Sequence, residues 1–365
     1  MTQYYLKPKV LLAPISTEIF KEFNLGAEVV ILVSNTIMEN FNLHSIFEDL
    51  RLTSNLHIYK HIRPDAPFED LNQIIDELKN KKLDNIIAIG GGSVIDAAKA
   101  LSVSFEGIDY RDIFYKKADM PGKKINVTAI PTTAGTGAEL SFGAIIYDNY
   151  NNIKGGIRGE IVQPDNVLID AKFHNNCPFK LKAEVGFDCL THAIETYISK
   201  KSNPLVRNQS VSCIKNIFKY LIPACKDNDI YAMEKIAISS ALMGLNLAYS
   251  STCLPHRIQY VIGPLTNTSH AQGLIAIYKG WLKHLAEINL KELKTLAEDL
   301  DMAVHEFLEK IAFIKDELSI DYSIADLGIK RNQIKEISES VTGNVSADPC
   351  YQDTNTIYNI LTNSL

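Results

Sequence analysis

The hydrophobic pattern changes part-way along the 365-residue chain. In the first half, short β-branched runs alternate with amphipathic stretches, which is typical of strands joined by crossover helices. The predicted strands are Val29–Ser34, Leu56–Ile58, Asn85–Ile89, Asn126–Ile130, Gly143–Tyr147 and Asn166–Ile169, with predicted helices that include Asp70–Lys79 and Val94–Val103. This half is therefore predicted to be an α/β domain.

In the second half of the chain, the apolar residues recur with a different spacing. From about Cys177, apolar residues recur at three- and four-residue intervals, as in Val206–Ile222 and Met233–Tyr249, and this spacing predicts helices. The polar stretch His174–Asn176, followed by Cys177-Pro178, predicts a linker. We therefore expect an α/β domain over residues 1–176 and a helical domain over residues 177–365.

Charge and cysteine content exclude several classes of protein. The 43 acidic and 37 basic residues give a net charge of -6 without long blocks of either sign, which argues against a nucleic-acid partner. No apolar stretch approaches the ~18 residues of a membrane-spanning helix, and the N-terminus lacks the pattern of a signal peptide. Six scattered cysteines without a CxxC pair indicate neither a disulfide framework nor a thiolate zinc site. A cytoplasmic protein is expected.

A glycine triplet ends the predicted strand at Ile89. Gly91, Gly92 and Ser93 then open a helix, and such a junction suits a phosphate, because glycine admits close backbone approach and a helix N-terminus favours an anion. Asp96 and Lys99 fall on the first turns, where they could orient the loop or meet the ligand. A tight turn without a ligand is the alternative.

A second loop of similar composition follows the strand at Ile130. Thr132, Thr133, Thr136 and Gly137 could line the same crevice, because parallel strands end at one edge of a sheet. Two such loops favour a dinucleotide cofactor.

A third feature suggests a metal. Asp188 and His192 lie four positions apart on a predicted helix and share one face, and His256 and His270 complete a set that suits Fe²⁺ or Zn²⁺. The alternative is an ordinary hydrogen-bonded Asp–His pair with isolated histidines. His174 and His284 are interpreted as surface or packing residues.

Taken in order, these segments resemble the iron-containing, or group III, alcohol dehydrogenase family over nearly the whole chain. The resemblance rests on GGGSVIDAAKA at 90–100, PTTAGTGAE at 131–139, KGGI from Lys154, PDNVLID at 164–170, GFDCLTHAIETYISKKSNP at 186–204 and Asp348-Pro349-Cys350. It implies a dinucleotide-binding α/β domain followed by an all-α metal-binding domain, the architecture shared with dehydroquinate synthase, and at least a homodimer.

The resemblance also implies roles. Asp188, His192, His256 and His270 would hold Fe²⁺ or Zn²⁺, which would act as a Lewis acid while hydride passes between NAD(P)(H) and an aldehyde or primary alcohol. Gly91, Gly92 and Ser93 would hold the pyrophosphate, whereas Thr132, Thr133 and Lys154 would line the nucleotide and nicotinamide path. Lys154 is alternatively a surface lysine.

Three positions depart from the family pattern. Asn35 stands where many relatives have an aspartate for the adenosine ribose, so NADP(H) becomes admissible. Tyr260 replaces a histidine, and is either a proton relay or a packing aromatic. Arg257 could clamp an acid-bearing aldehyde such as phosphonoacetaldehyde or succinic semialdehyde, or could turn away into a structural ion pair.

The sequence is also compatible with other functions. A polyol or sugar-alcohol dehydrogenase, a lyase that recycles its NAD internally, and a non-catalytic cofactor-binding protein would share the fold. The loop at 131–139 and the four-ligand pattern favour a dehydrogenase with a small-molecule substrate.

Overall fold

The computed structural model describes residues 6–365. Their contacts divide the chain into two compact units. Among the described residues, the first contains 6–133 together with 137–176, and the second contains 177–365 together with 134–136. The three residues 134–136 thus belong by their contacts to the helical unit, although their neighbours in sequence belong to the α/β unit.

The strands of the first unit form one six-stranded sheet and a separate hairpin. They are β1 (Lys9–Leu12), β2 (Glu28–Val33), β3 (Asn55–Tyr59), β4 (Asn85–Gly90), β5 (Asn126–Pro131), β6 (Gly143–Asp148), β7 (Ile153–Arg158) and β8 (Asn166–Ile169). The sheet is parallel throughout, in the order β1-β8-β5-β4-β2-β3. From β2 the chain continues toward one edge and from β4 toward the other, so the order reverses between these two strands. In such sheets, that point is where ligands bind.

Both faces of the sheet are buried, as its β-branched strands predict. Val30 and Leu32 of β2 point into one core, whereas Ile31 and Val33 point into the other. The helices that cover these faces are α1 (Thr17–Lys21), α2 (Asn35–Asn40), α3 (Leu43–Leu50), α4 (Phe68–Leu78), α5 (Gly92–Ser104), α6 (Tyr110–Phe114) and α7 (Ala171–Asn175).

Strands β1 and β7 were not predicted from the sequence, and two predicted elements of this unit differ from their expectation. The predicted strand at Gly143–Tyr147 is β6, which pairs antiparallel with β7 outside the main sheet. The stretch predicted as a linker at His174–Asn176 lies largely in α7, and His174 is buried. Asp170 caps α7 by accepting from the backbone N–H of Lys172, so a short helix forms despite the polar composition.

The second unit is helical, as its periodicity predicts. Its helices are α8 (Phe179–Ile198), α9 (Pro204–Lys226), α10 (Ile230–Tyr249), α11 (Leu254–Thr266), α12 (His270–Glu287), α13 (Lys291–Asp299), α14 (Val304–Glu317), α15 (Ile334–Ser340) and α16 (Thr354–Asn363). Three short 3₁₀ turns complete the described chain, at Glu160–Val162 in the first unit and at Arg331–Gln333 and Val345–Ala347 in the second. Across residues 6–365, no helix has both the length and the apolar character needed to span a membrane.

Side-chain caps fix where two helices of this unit, α9 and α12, begin. Asn203 caps α9 through the N–H groups of Leu205 and Val206, with Pro204 at the start of the helix. Ser269 and Gln272 form a reciprocal capping box at the start of α12. His270 is therefore the first residue of a helix whose N-terminus is held in place.

Candidate active site

The glycine loop and the threonine loop meet at one edge of the sheet. The backbone N–H of Thr132 donates to the carbonyl of Gly90 at 3.0 Å. A Cβ on Gly91 would lie 3.1 Å from Thr133 Oγ1, a tighter contact than usual, so glycine favours this close approach. Gly91 is the N-cap of α5 and no side chain caps that helix within the described chain, which leaves its N-terminus available to an anion.

Asn35 follows the strand beside this loop. Val33 of β2 pairs with Ile89 of β4, and the chain continues from there to Asn35 and to Gly91 respectively. Asn35 is exposed at the first turn of α2. The residues predicted to contact the adenosine ribose and the phosphates thus follow the two strands between which the strand order reverses.

Ser93 and Lys154 both contact Asp65, which lies in a short loop. The backbone N–H of Asp65 donates to Ser93 Oγ at 2.9 Å, and Lys154 Nζ donates to Asp65 Oδ1 at 2.7 Å. The Lys154 side chain is 10% exposed, so it is not the free surface lysine that the sequence left open. Asp65 and Ala66 have positive φ angles of 64° and 48°, which marks a tightly turned loop.

Asp96 and Lys99 are turned into the interior. The Asp96 carboxylate accepts from the backbone N–H of Ile145 at 2.9 Å, and Lys99 Nζ donates to the carbonyl of Gly143 at 2.8 Å. Burial lowers the pKa of Lys99 to about 8. Both side chains tie α5 to β6, and so they orient the glycine loop.

Four predicted metal ligands converge in the second unit. Asp188 and His192 lie on α8, His256 on α11 and His270 on α12. Asp188, His256 and His270 offer ligand atoms that all lie within 4.8 Å of one another. His192 Nε2 lies 2.9 Å from His256 Nε2, and each of these nitrogens lies 3.8 Å from Asp188 Oδ1.

Each of the three imidazoles is oriented through its Nδ1. This atom faces the carbonyl oxygen of Gly135 at 3.1 Å in His192, Glu195 Oε1 at 2.8 Å in His256, and Gln259 Oε1 at 2.6 Å in His270. Because these oxygens are acceptors, the contacts assign a proton to Nδ1 of each ring and leave the Nε2 lone pair for a metal.

This donor set fits a divalent cation. With both Nδ1 atoms protonated, the Nε2 lone pairs of His192 and His256 face each other across 2.9 Å, and a cation between the rings removes their repulsion. Imidazole nitrogens and one carboxylate are ligands that both Fe²⁺ and Zn²⁺ accept. Burial lowers the pKa of His256 well below its usual range, which keeps the ring neutral.

Family models match both parts of the chain. Residues 15–171 match the iron-containing alcohol dehydrogenase model, and residues 182–365 match the C-terminal model of the Fe-containing alcohol dehydrogenase family. The chain belongs to the iron-containing alcohol dehydrogenase family. The resemblance inferred from the sequence is thereby confirmed, and so is the succession of a parallel-sheet α/β unit and a helical unit.

Individual relatives are distant. The aldehyde-alcohol dehydrogenase of Streptococcus pneumoniae is 27% identical over 357 residues, which cover 88% of this chain but 40% of that protein, so the chain spans about two fifths of its length. The 4-hydroxybutyrate dehydrogenase of Clostridium kluyveri is 26% identical over 350 residues, which cover 92% of this chain and 91% of that protein. The crystal structure of sulfoacetaldehyde reductase from Bifidobacterium kashiwanohense in complex with NAD⁺ shares the fold, with a TM-score of 0.89, 19% identity and coverage of 99% of this chain and 98% of that one.

One residue beside the metal cluster escaped the sequence analysis. Glu195 is fully buried, and besides facing His256 it accepts from the backbone N–H of Cys253 at 2.7 Å. The spacing of Asp188, His192 and Glu195 at i, i+4 and i+7 places all three on one face of α8, and this was the signal that could have revealed it. Burial raises the pKa of Glu195 to about 8, whereas a divalent cation held by His256 would favour the ionised carboxylate.

Arg257 and Tyr260 lie beside His270, one of the candidate ligands. The Tyr260 ring stacks on that of His270 with centroids 6.1 Å apart, and the Arg257 guanidinium carbon lies 4.8 Å from the centroid of the Tyr260 ring. Arg257 Nη2 donates to Thr252 Oγ1 at 2.5 Å, while its Nε is buried without a hydrogen-bond partner. Within residues 6–365 no carboxylate lies within ion-pair distance of Arg257, so the alternative of a structural ion pair does not hold.

Three further candidates are Thr136, His174 and His284. Thr136 is half-buried and belongs by its contacts to the helical unit, whereas Thr132 and Thr133 belong to the α/β unit. His174 is buried in the α/β unit and burial lowers its pKa to about 4, which fits a packing residue. His284 is half-buried in the last turn of α12. Neither histidine belongs to the metal cluster.

Proposed function

We propose that this iron-containing alcohol dehydrogenase family member is a metal-dependent oxidoreductase that transfers hydride between NAD(P)(H) and an aldehyde or primary alcohol. The observation that carries the proposal is the convergence of Asp188 with the Nε2 atoms of His192 and His256, joined by His270. A non-catalytic protein has no need of three imidazoles that are each held in the metal-binding tautomer. The same cluster disfavours a cofactor-binding protein without a reaction.

The proposed roles follow from where each group is held. A bound divalent ion would supply a Lewis acid for the substrate oxygen, and the nicotinamide would give or take the hydride. Asp188 and the three histidines would hold the ion, while Gly91, Gly92 and Ser93 would bind the pyrophosphate at the start of α5. Thr132, Thr133 and Thr136 would line the nucleotide path, with Lys154 fixed by Asp65 and Asp96 bracing α5.

A panel of aldehydes tests this proposal. Metal-loaded protein should oxidise NADH or NADPH, seen as loss of absorbance at 340 nm, with at least one class of aldehyde, and the reverse reaction should proceed with the matching alcohol. Polyols and sugar alcohols belong in the same panel, because faster turnover with them would favour that alternative. Protein that holds metal and cofactor without net change at 340 nm would point instead to internal recycling of the cofactor.

Cofactor choice is proposed to follow from Asn35. A neutral amide at the end of β2 does not repel a ribose 2′-phosphate, whereas a carboxylate does, so we expect a mild preference for NADPH. Asn35→Asp should shift the ratio of kcat/KM toward NADH by about tenfold, which corresponds to ~1.4 kcal/mol. Side-by-side kinetics of the two proteins measure this shift. A wild-type enzyme far more efficient with NADH would refute the preference.

The substrate is proposed to carry an acid group, as phosphonoacetaldehyde and succinic semialdehyde do. Arg257 supports this, since one nitrogen binds a neutral hydroxyl, another is buried unpaired, and no carboxylate of the described chain lies within ion-pair distance. Its guanidinium can offer two donors to a carboxylate, phosphonate or sulfonate. Two of the relatives described above are named for acid-bearing compounds, 4-hydroxybutyrate and sulfoacetaldehyde.

Kinetics of an Arg257→Ala variant test this role. The KM for an acid-bearing aldehyde should rise by about 10- to 100-fold, because a charge-assisted hydrogen bond contributes ~1.5–3 kcal/mol. The KM for a neutral aldehyde of the same length should change by less than about threefold. Arg257→Lys should fall between wild type and alanine, since lysine keeps the charge but not the paired donors. Equal effects on both aldehydes would contradict the proposal.

Tyr260 is proposed to act beside Arg257, either as a packing aromatic or as a proton relay. Its ring lies between Arg257 and His270, so it supports the guanidinium, and its hydroxyl is the group that could relay a proton. Tyr260→Phe keeps the ring and removes the hydroxyl. A changed pH profile of kcat in this variant would assign the relay, whereas full turnover across pH would leave packing as the role.

A further inference from the structure

The two buried carboxylates at the start of α11 do different things. Glu195 Oε2 accepts from the backbone N–H of Cys253 at 2.7 Å, and Asp348 Oδ2 accepts from that of Leu254 at 3.0 Å. Both side chains are fully buried. The first N–H groups of a helix lack partners within the helix and favour negative charge, so this pair of acids fixes where α11 begins.

The two acids differ in one contact. The second oxygen of Glu195 lies 2.8 Å from His256 Nδ1, whereas Asp348 completes its hydrogen bonds with Trp281 Nε1 at 2.9 Å and the Cys350 N–H at 3.0 Å. Glu195 therefore touches a metal ligand, and Asp348 secures the same helix without touching one. The two acids therefore form a matched pair: a substitution at Glu195 changes the contact with His256, whereas a substitution at Asp348 changes only the contacts that hold the helix.

We propose that Glu195 is a positioning residue that holds His256 with Nε2 toward the metal and strengthens that nitrogen as a donor. Glu195 Oε1 faces Nδ1 and Glu195 Oε2 receives the Cys253 N–H, an arrangement in which both oxygens accept. The inference rests on the proposed metal-dependent function, because it concerns the same ligand set.

An amide cannot reproduce these contacts. Glutamine at position 195 has one acceptor and one donor group, but two N–H donors, from His256 and Cys253, face the side chain. Either Cys253 loses its acceptor or the His256 ring loses the partner that fixes its tautomer. Carboxylates or carbonyls that hold a metal-bound histidine in this way are worth about 10- to 100-fold in metal affinity.

Metal affinity of the Glu195→Gln variant is the test. Metal-free protein is titrated with Zn²⁺ in competition with a chromophoric chelator. Glu195→Gln should raise the Zn²⁺ dissociation constant by about 10- to 100-fold. Asp348→Asn, which creates the same amide-for-carboxylate defect at the same helix, should leave that constant within about threefold. Thermal unfolding of both stripped variants should show comparable losses of Tm.

The outcomes separate this inference from the proposed function. The positioning role alone would be overturned if Glu195→Gln bound Zn²⁺ as tightly as wild type does. It would also be overturned if Asp348→Asn weakened Zn²⁺ binding as much as Glu195→Gln does. Wild-type protein that binds no Zn²⁺ would overturn both. Nitrogen NMR of wild-type protein with labelled histidine gives a measurement that needs no variant: Zn²⁺-loaded His256 should be protonated at Nδ1, and protonation at Nε2 would refute the proposal.

Discussion

Asp188→Asn is expected to lower kcat/KM by about 10³-fold, because a Lewis acid at the substrate oxygen is worth several kcal/mol. Asp188 is buried within 3.8 Å of two imidazole nitrogens and supplies the one negative ligand of the cluster. Asparagine keeps the shape but removes the charge that favours a divalent cation. The metal content of the purified variant and its steady-state rates with a saturating cofactor measure both consequences.

Asp229→Asn provides the control for this substitution. Asp229 caps α10 in the same helical unit through the N–H groups of Tyr231 and Ala232, and asparagine is also a good cap. We expect this variant to keep its metal content and turnover. An Asp188→Asn protein with wild-type metal content and rates would show that the cluster is not the reaction centre.

Gly135→Ala is expected to disturb the metal cluster through the backbone. A Cβ at this position would lie 2.4 Å from the carbonyl oxygen of Val185 and 2.8 Å from its Cβ, and a helix backbone cannot yield as a flexible side chain can. The loop must move away from α8, and the carbonyl that orients His192 moves with it. We expect a loss of about 1–3 kcal/mol in unfolding free energy together with weaker metal binding.

Thermal unfolding and zinc titration of Gly135→Ala measure these two effects. Gly122→Ala is the matched control, since nothing lies within 4 Å of a Cβ there and the residue is exposed. It should behave as wild type in both experiments. If Gly135→Ala binds Zn²⁺ with unchanged affinity, the hydrogen bond from His192 to this loop does not contribute to the site.

The sequence predicted the α/β unit well because its strands are β-branched and bounded by glycine or polar residues. It missed β7, where Gly155 and Gly156 break the apolar alternation, and these glycines are required by packing. A Cβ at Gly155 would lie 2.8 Å from the Phe114 ring, and one at Gly156 would lie 2.8 Å from the carbonyl of Ala144. Such contacts are set by tertiary packing and leave no local signal.

The candidate metal ligands could be predicted from the sequence only in part. Asp188 and His192 share a helical face, which spacing reveals, but His256 and His270 join them only through the packing of α11 and α12 against α8. Family resemblance supplied that link. The groups that orient the imidazoles were harder to see, since Gly135 acts through a carbonyl oxygen that is independent of its side chain, and Gln259 acts across a helix–helix contact.

The loop at 131–139 shows that a continuous sequence motif does not reveal which unit each of its residues packs with. A continuous motif in sequence was assigned to one domain, yet its three middle residues pack with the helical unit. Gly135 explains this division, because its missing side chain permits van der Waals contact with Val185. Nothing in the order of residues distinguishes Thr133 from Thr136 in this respect. Their different surroundings follow from the path of the backbone after β5.

Metal dependence of hydride transfer tests the central claim most directly. Protein stripped by a chelator is titrated with Fe²⁺ under anaerobic conditions, or with Zn²⁺, while oxidation of NADPH or NADH by an acid-bearing aldehyde is followed at 340 nm. The four converging ligands predict negligible turnover without metal and a rate that rises to a plateau at one ion per chain. Full turnover in the stripped protein, or a metal-loaded protein that oxidises neither cofactor with any aldehyde, would contradict the account.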